Sequence, residues 1–219
     1  MASIAHESLA ISVGNGQVIG ADLHVPSGAT GLVVFAHGSG SSRFSSRNRM
    51  VAQSLHHRGF GTLLLDLLTQ QEESVDVHTA EYRFDIPRLG ARVVVATDWL
   101  EAQPRLRSLS LGYFGASTGA AAALIAAAER PSIARAVVSR GGRPDLADAA
   151  LPKVNAPTLL IVGGNDEPVI EMNRRAMELM RSAHVELQIV AGATHLFEEP
   201  GTLEQVQRLA GEWFARHLQ

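Results

Sequence analysis

The sequence predicts an α/β protein with a doubly wound, mostly parallel sheet of about eight strands and helices on both faces. Short, near-continuously apolar segments recur along most of the chain, which is typical of strands buried on both faces. Segments with helical periodicity lie between them, and this alternation favours a parallel sheet. The predicted strands are residues 9–13, 17–25, 32–36, 62–65, 109–114, 136–139, 158–162 and 185–190.

The connections between these segments refine the prediction. An Asn-Gly turn at residues 14–16 separates the first two strands and predicts an antiparallel hairpin. The last helix opens with Thr202 and Gln205 at the spacing of a capping box. Residues 67–80 and 140–156 are the least regular stretches, and neither is long enough for a separate cap domain. The predicted helices cover residues 89–100, 120–128, 169–180 and 206–213.

Composition narrows the class of protein. The chain has 219 residues, 46% hydrophobic and 19% charged, which is ordinary for a globular protein, and we expect a single domain over residues 1–219. A net charge of −3 argues against nucleic-acid binding. The absence of cysteine excludes disulfides, thiolate–zinc sites and a cysteine nucleophile. With neither a signal-peptide pattern nor a membrane-length apolar run, we expect a soluble, cytoplasmic protein without a membrane partner, metal or cofactor.

A serine in a glycine-rich turn is the candidate nucleophile. Gly115-Ala116-Ser117-Thr118-Gly119 is a G-x-S-x-G pentapeptide that follows a predicted strand and precedes a strong helix-forming run. This setting is typical of a sharp strand-to-helix turn that holds a serine hydroxyl exposed, with glycines where neighbouring backbone comes close. The pattern predicts Ser117 as the nucleophile.

The serine hydroxyl needs a base, because an alcohol is a poor nucleophile at neutral pH. In folds of this kind the serine, acid and histidine follow one another along the chain. His184 lies at the wrong end of the last strand, and His217 is on the exposed end of the last helix. His195 follows the last strand and lies at the carboxyl edge of the sheet, so we predict His195 as the general base.

The acid that orients the histidine has two candidates. Asp166 follows the strand 158–162 in a glycine turn, and Pro168 suits the first turn of the next helix. Asp166 is also a candidate helix cap, and Asp145, one strand earlier, competes for the same catalytic position. We predict Asp166, because its glycine-turn setting matches the usual acid loop.

Backbone amides are the expected stabilisers of the negative charge that develops on a substrate carbonyl. One amide usually follows the nucleophile, and the other lies in the loop after the third strand. Here these are the amides of Thr118 and Ser39, and Ser39 lies in the glycine-rich segment 37–40. A plain glycine turn is the alternative for this loop. We expect His37 to brace the loop rather than to react.

Charged residues follow several of the predicted strands and should gather near Ser117. Arg43, Arg47 and Asn48 follow the glycine loop, Asp66 ends the fourth strand, and the segment 140–143, which begins with Arg140, ends the sixth. These residues admit two interpretations. They form a pocket for a substrate that carries a carboxylate or phosphate, or Asp66 pairs with an arginine and braces the loops.

Several longer runs of sequence resemble one family. The segments 37–43, 47–48, 65–69, 83–86 and 139–145 together resemble the dienelactone hydrolase-like branch of the α/β-hydrolases. The resemblance covers essentially the whole chain and implies a carboxylic-ester hydrolase with a single-domain body and minimal or no cap. Dienelactone hydrolase itself has a cysteine nucleophile, whereas this chain has serine there. Relatives of this type also occur fused to a phosphoribosyltransferase domain.

The expected function is therefore that of a serine hydrolase that cleaves small esters or lactones, anionic ones included, through an acyl-enzyme on Ser117. Two alternatives remain open at this point. The chain is a ligand-binding or sensor protein on a hydrolase scaffold, since fold does not determine function, or it transfers the acyl group to an acceptor other than water. The sequence does not specify the oligomeric state.

Overall fold

The computed structural model describes residues 4–218 and consists of one sheet flanked by helices. Residues 1–3 and 219 of the predicted domain lie outside the described residues. The strands are β1 (Ile4–Gly14), β2 (Gln17–Val25), β3 (Gly31–Ala36), β4 (Gly61–Leu65), β5 (Ser110–Ala116), β6 (Ala134–Arg140), β7 (Thr158–Gly163) and β8 (Val185–Val190). The helices are α1 (Ser46–His57), α2 (Gln70–Thr79), α3 (Ile86–Glu101), α4 (Thr118–Glu129), α5 (Glu167–Leu179) and α6 (Thr202–His217), with a 3₁₀ segment at Pro144–Lys153.

The sheet has eight strands in the order β1-β2-β4-β3-β5-β6-β7-β8. The β1–β2 and β2–β4 pairs are antiparallel, and all remaining pairs are parallel. This arrangement confirms the predicted doubly wound, mostly parallel sheet and its N-terminal hairpin. Because the parallel strands run the same way, their carboxyl ends meet at one edge, where α/β proteins bind ligands.

Each face of the sheet has its own apolar core. One core packs α3 and α4 against the sheet, and the other packs α1 and α6 against the opposite face. The alanine-rich helix α4 is buried along most of its length and has small side chains that let it approach the sheet closely. On the other face, the stacked rings of Phe35 and Phe114 lie 4.8 Å apart. The central strands and α4 therefore form a rigid base for residues at the edge of the sheet.

Helix α2 corrects the prediction that residues 67–80 are irregular. Its buried residues are the carboxylates Glu72 and Asp76, while Val77 is 56% exposed, so apolar periodicity could not reveal it. The helix begins with a capping box in which the Thr69 hydroxyl accepts from the Glu72 amide and the Glu72 carboxylate accepts from the Thr69 amide. Ion pairs rather than apolar packing hold this helix, as with Arg83 and Asp76 at 2.7 Å.

The predicted capping box at Thr202 and Gln205 is wrong. Gly201 is the N-cap of α6, and the Thr202 hydroxyl donates to the Glu199 carbonyl at 2.7 Å instead. The segment 140–156, expected to be irregular, contains the short 3₁₀ turns at Pro144–Lys153, kinked at Asp148. Strand β8 also departs from the expectation of burial on both faces, because it is the edge strand of the sheet.

Within residues 4–218, no helix has both the length and the apolar character needed to cross a bilayer.

Substitution of His56 tests the pH dependence of stability. Burial, and then the charges of His24 and His57, lower the pKa of His56 from 6.5 to about 4. As the pH falls, the imidazole of His56 therefore binds a proton in the unfolded chain at a higher pH than in the folded protein. The contribution of the neutral ring to stability is complete above pH 6.5 and is lost as the pH falls from 6.5 to 4. The free energy of unfolding is measured by urea titration at pH 6.5 and at pH 4. Between these two pH values we expect it to fall by about 1 kcal/mol more in the wild type than in His56→Gln, a value that takes into account that the His56 ring is only half-buried.

His78→Gln, which removes an exposed histidine on α2, is the matched control. Equal pH dependence in wild type and His56→Gln would show that the His56 ring does not contribute in this way.

Candidate active site

Ser117 lies in a sharp turn between β5 and α4. Its backbone has φ 51° and ψ −121°, a region that residues with a side chain rarely adopt. The Ser117 amide donates to the Arg140 carbonyl at 3.2 Å, and the Arg143 amide donates to the Ser117 carbonyl at 3.0 Å. These bonds hold the strained turn in place, as expected where strain is retained at a functional position.

The two glycines of the pentapeptide are required by close backbone contacts. A Cβ at Gly115 would lie 2.4 Å from the Ala120 Cα, and a Cβ at Gly119 would lie 2.3 Å from the Ala36 carbonyl oxygen. Because both neighbours are backbone atoms that cannot rotate away, only glycine fits. The spacing in the sequence therefore reflects how tightly α4 packs onto β3 and β5.

Two substitutions at Ser117 separate backbone strain from chemistry. Because glycine adopts positive φ without a Cβ penalty, we expect Ser117→Gly to be more stable than Ser117→Ala by about 1 kcal/mol. Denaturant unfolding of the two variants measures the difference. A Ser117→Gly protein less stable than Ser117→Ala would show that the turn is not strained.

Ser117, His195 and Asp166 form one chain of hydrogen-bond contacts. His195 Nε2 lies 3.3 Å from Ser117 Oγ, and His195 Nδ1 lies 2.6 Å from Asp166 Oδ2. With the proton on Nδ1 donated to the carboxylate, Nε2 is free to accept from the serine hydroxyl. The three predicted residues come from the ends of β5, β7 and β8, far apart in sequence and adjacent at one edge of the sheet.

The competing candidates lie elsewhere. Asp145 forms a two-pronged ion pair with Arg143, at 2.9 and 2.8 Å. His184 contacts Glu186 at 3.1 Å, and His217 lies against the Trp213 ring. Asp166 occupies the N-cap position of α5 but makes no side-chain cap hydrogen bond. Its carboxylate is directed to the imidazole rather than to the helix.

The loop after β3 lies directly beside the nucleophile. A Cβ at Gly38 would lie 3.1 Å from the Ser117 Cβ, so Ser39 follows at the point where the loop passes the serine. Thr118 is the first residue of α4, so its amide has no acceptor within the helix. Thr118 therefore adjoins Ser117 along the chain, Ser39 adjoins the glycine that passes Ser117 in space, and their amides remain the predicted oxyanion donors.

His37 ties this loop to the end of β4. Its Nδ1 donates to the Gly38 carbonyl at 2.8 Å, and its Nε2 accepts from the Leu67 amide at 3.0 Å. Burial lowers the pKa of His37 and outweighs the Gly38 carbonyl, which raises it. The ring is therefore neutral, and both of its nitrogens are engaged in holding the loop.

Arg43 and Asp66 are paired with each other. The Arg43 amide donates to Asp66 Oδ1 at 2.9 Å, and the guanidinium contacts Asp66 Oδ2 and also Asp22 at 3.4 Å. Gly20 leaves room for this pair, since a Cβ there would overlap the Arg43 guanidinium. This geometry corresponds to the bracing interpretation for Arg43 and Asp66.

Arg140 differs from Arg43 in having no carboxylate partner among the described residues. Its Nη2 reaches Asn48 Oδ1 at 3.4 Å, and its Nε has no acceptor. Burial, with a smaller contribution from Arg47, lowers the pKa of Arg140 to about 10. Arg47 is held by Glu198 at 2.9 Å. Bracing by ion pairing therefore does not account for Arg140.

A cavity of about 670 Å³ adjoins the loop after β3, on the side of β2, β4 and α2. Leu68 and Val77 contribute apolar walls, and the Arg43–Asp66 pair and Glu73 contribute charge. Helix α2 forms one wall of this cavity, and the prediction that residues 67–80 are irregular did not include that wall. The signal that could have found it is the Thr69-x-x-Glu72 spacing, which is typical of a helix start.

Comparison with known proteins places the chain in a family. The dienelactone hydrolase family model matches residues 19–216. A crystal structure of dienelactone hydrolase from Anabaena variabilis is 56% identical, covers 98% of each chain and superimposes with a TM-score of 0.95. The esterase Pf2001 of Pyrococcus furiosus, 18% identical over 98% of this chain and 93% of its own, shares the fold with a TM-score of 0.81.

The curated relatives are longer proteins. Rv0571c of Mycobacterium tuberculosis H37Rv, named as a phosphoribosyl transferase, is 58% identical over 196 residues, and the same holds for MT0597 of strain CDC 1551. That match covers 90% of this chain and 43% of each relative, so the chain spans less than half of their length. The family match over residues 19–216 and the fold shared with a solved relative of 56% identity lead to one conclusion: this chain belongs to the dienelactone hydrolase family.

Proposed function

We propose that the chain hydrolyses small carboxylic esters or lactones through an acyl-enzyme on Ser117. The observation that carries this proposal is the contact chain from Ser117 Oγ to His195 Nε2 and from His195 Nδ1 to Asp166. A serine in contact with a base, whose other nitrogen is held by a carboxylate, is the arrangement that activates a hydroxyl for attack on a carbonyl.

The reaction follows from these contacts. His195 Nε2 takes the Ser117 proton as Oγ attacks the ester carbonyl, and the amides of Ser39 and Thr118 stabilise the oxyanion. The imidazolium, stabilised by Asp166, then protonates the leaving alkoxide as the carbon–oxygen bond breaks. Water attacks the acyl-enzyme with His195 again as base, and the acid leaves as Ser117 recovers its proton.

Small substrates are proposed because little chain covers the site. Between β6 and β7 the only regular element is the 3₁₀ segment Pro144–Lys153, and the His195 side chain is 38% exposed. Over a series of p-nitrophenyl esters, we therefore expect kcat/KM to be highest for short acyl chains. A maximum at long acyl chains would contradict an open, shallow site.

A fluorophosphonate probe tests the proposed nucleophile. We expect one equivalent to form a covalent adduct, located at Ser117 by peptide mass spectrometry, and activity on esters and lactones to be lost in parallel. Absence of labelling and of turnover would instead favour a binding or sensor protein on this scaffold. Turnover that yields mainly new esters when an alcohol is added would favour an acyltransferase.

The long relatives suggest how the chain relates to a larger protein. Those relatives are named as phosphoribosyl transferases, whereas the residues they share with this chain match the dienelactone hydrolase family. We propose that this region supplies a hydrolase activity in such proteins and that transferase chemistry belongs to the rest of their length.

A further inference from the structure

Arg140 is a buried cation that forms no ion pair with any residue the structure describes. The residue is 7% exposed, and the only hydrogen-bond partner of its side chain among the residues the structure describes is the neutral amide of Asn48. Arg92 is similarly buried but donates to the Glu72 carboxylate at 2.8 Å. Because burying an unpaired charge is costly, a guanidinium kept in this state points to a partner that joins it from outside the chain.

The groups around Arg140 add positive potential. Arg47 lies close enough to depress the pKa of Arg140, and its own Nε is buried without an acceptor in the described part of the chain. Asn48 and Arg47 belong to the first turn of α1, which carries no acidic residue. Helix N-termini attract anions. The contact of Arg140 with Asn48 and the effect of Arg47 on the pKa of Arg140 thus place both arginines beside the first turn of α1.

This cluster adjoins the nucleophile. Arg140 is paired with Ala116 in the neighbouring strand, and its carbonyl accepts from the Ser117 amide. The next residue, Gly141, lies so close to the His195 carbonyl that a Cβ there would be 2.9 Å away. Arg140 therefore lies on the α1 side of the site, whereas the 670 Å³ cavity lies on the α2 side.

Glu198 occupies the outer side of the cluster. It pairs with Arg47 Nη1 at 2.9 Å, and its side chain is 63% exposed. An exposed ion pair contributes little to stability, so an anionic group can replace Glu198 at low cost. The pair with the chain's own carboxylate thus shows that Arg47 can hold a carboxylate at its exposed end.

We infer that Arg140 and Arg47 form an oxyanion subsite that binds a carboxylate or phosphate group on the substrate, with Glu198 as the competing internal carboxylate. The inference deepens the proposed function and rests on it for the substrate's ester group. Planar guanidinium groups match both oxyanions by paired hydrogen bonds. The subsite selects esters that carry an anionic group over neutral esters of the same shape.

Anion binding is measured first in Ser117→Ala, so that chemistry does not enter. Inorganic phosphate and acetate are titrated separately, by calorimetry and thermal shift. We expect saturable binding of at least one anion, with Kd weakened at least ~10-fold by Arg140→Gln or Arg47→Gln, since charge-assisted bonds are lost. Glu198→Gln removes the competing carboxylate and should tighten binding by ~3-fold or more. The matched controls are Arg208→Gln and Glu212→Gln, at an exposed pair on α6.

Substrate preference is measured next in the Ser117 protein. The kcat/KM for an aryl ester with a terminal carboxylate, and for one with a terminal phosphate, is compared with that for a neutral, methyl-capped counterpart. We expect an anionic preference of ~10-fold or more, abolished in Arg47→Gln and increased in Glu198→Gln. Because these two variants change surface-accessible groups, the test remains decisive if Arg140→Gln fails to fold.

The two proposals fail in different ways. Anion binding that is undetectable, or equal in wild type, Arg47→Gln and Glu198→Gln, overturns the subsite while fluorophosphonate labelling of Ser117 still supports the hydrolase. Arg47-dependent anion binding without labelling or turnover overturns the hydrolase and retains the subsite.

Discussion

Ser117→Ala is expected to lower kcat/KM on any ester that the wild-type protein cleaves by about 10⁴- to 10⁶-fold. Without Oγ, no acyl-enzyme forms, and only slow attack by water beside the Ser39 and Thr118 amides remains. Steady-state kinetics with a chromogenic short ester, together with loss of fluorophosphonate labelling, measures the effect.

Ser139→Ala is the matched control. Ser139 is fully buried on the adjacent strand β6, and its hydroxyl has no hydrogen-bond partner among the described residues. Removing that hydroxyl is expected to leave kcat/KM within about 2-fold and stability unchanged or slightly higher, because no hydrogen bond is lost. If Ser117→Ala retained most of the activity, another group would have to be the nucleophile.

Asp166→Asn is expected to lower kcat by roughly 10⁴-fold with little change in stability. The side chain keeps its size, but its amide can present a donor to His195 Nδ1, which favours the proton on Nε2. The ring then cannot accept the Ser117 proton, and the imidazolium loses its stabilising charge. Kinetics on the same chromogenic ester measures kcat, and denaturant unfolding measures stability.

Asp145→Asn distinguishes the two acids that the sequence offered. Asp145 forms a half-buried, two-pronged ion pair with Arg143 rather than with His195, so its substitution is expected to change kcat by less than about 10-fold. A larger loss of kcat in Asp145→Asn than in Asp166→Asn would mean that the wrong acid has been assigned.

The sequence predicted correctly those elements that are specified by interactions between residues close together in the chain. The buried strands were visible as short apolar runs, and the turn at 14–16 predicted the hairpin that the structure contains. Helix α2 was not visible, because its buried residues are Glu72 and Asp76 and its valines face solvent. A helix held by ion pairs carries no apolar period, so only its capping spacing could have indicated it.

The sequence alone could not predict which of the charged residues form ion pairs with each other. Arg43, Asp66 and Arg140 all follow strands that end at one edge, and the sequence left open which of them pair. The structure pairs Arg43 with Asp66 and leaves Arg140 beside Asn48. Such pairings depend on side-chain direction and on a few ångströms of loop position, neither of which sequence spacing determines.

By itself the sequence determined the fold class, the strand-to-helix turn at Ser117 and the short set of residues able to act as base and acid. It did so because apolar periodicity follows from which face of a strand or helix is buried, and the glycine spacing follows from close backbone contacts in the turn. Only the tertiary structure decided that His195 meets Asp166 rather than Asp145, and that the buried Arg140 guanidinium has no carboxylate partner among residues 4–218. Those facts depend on how strands distant in sequence align at one edge of the sheet.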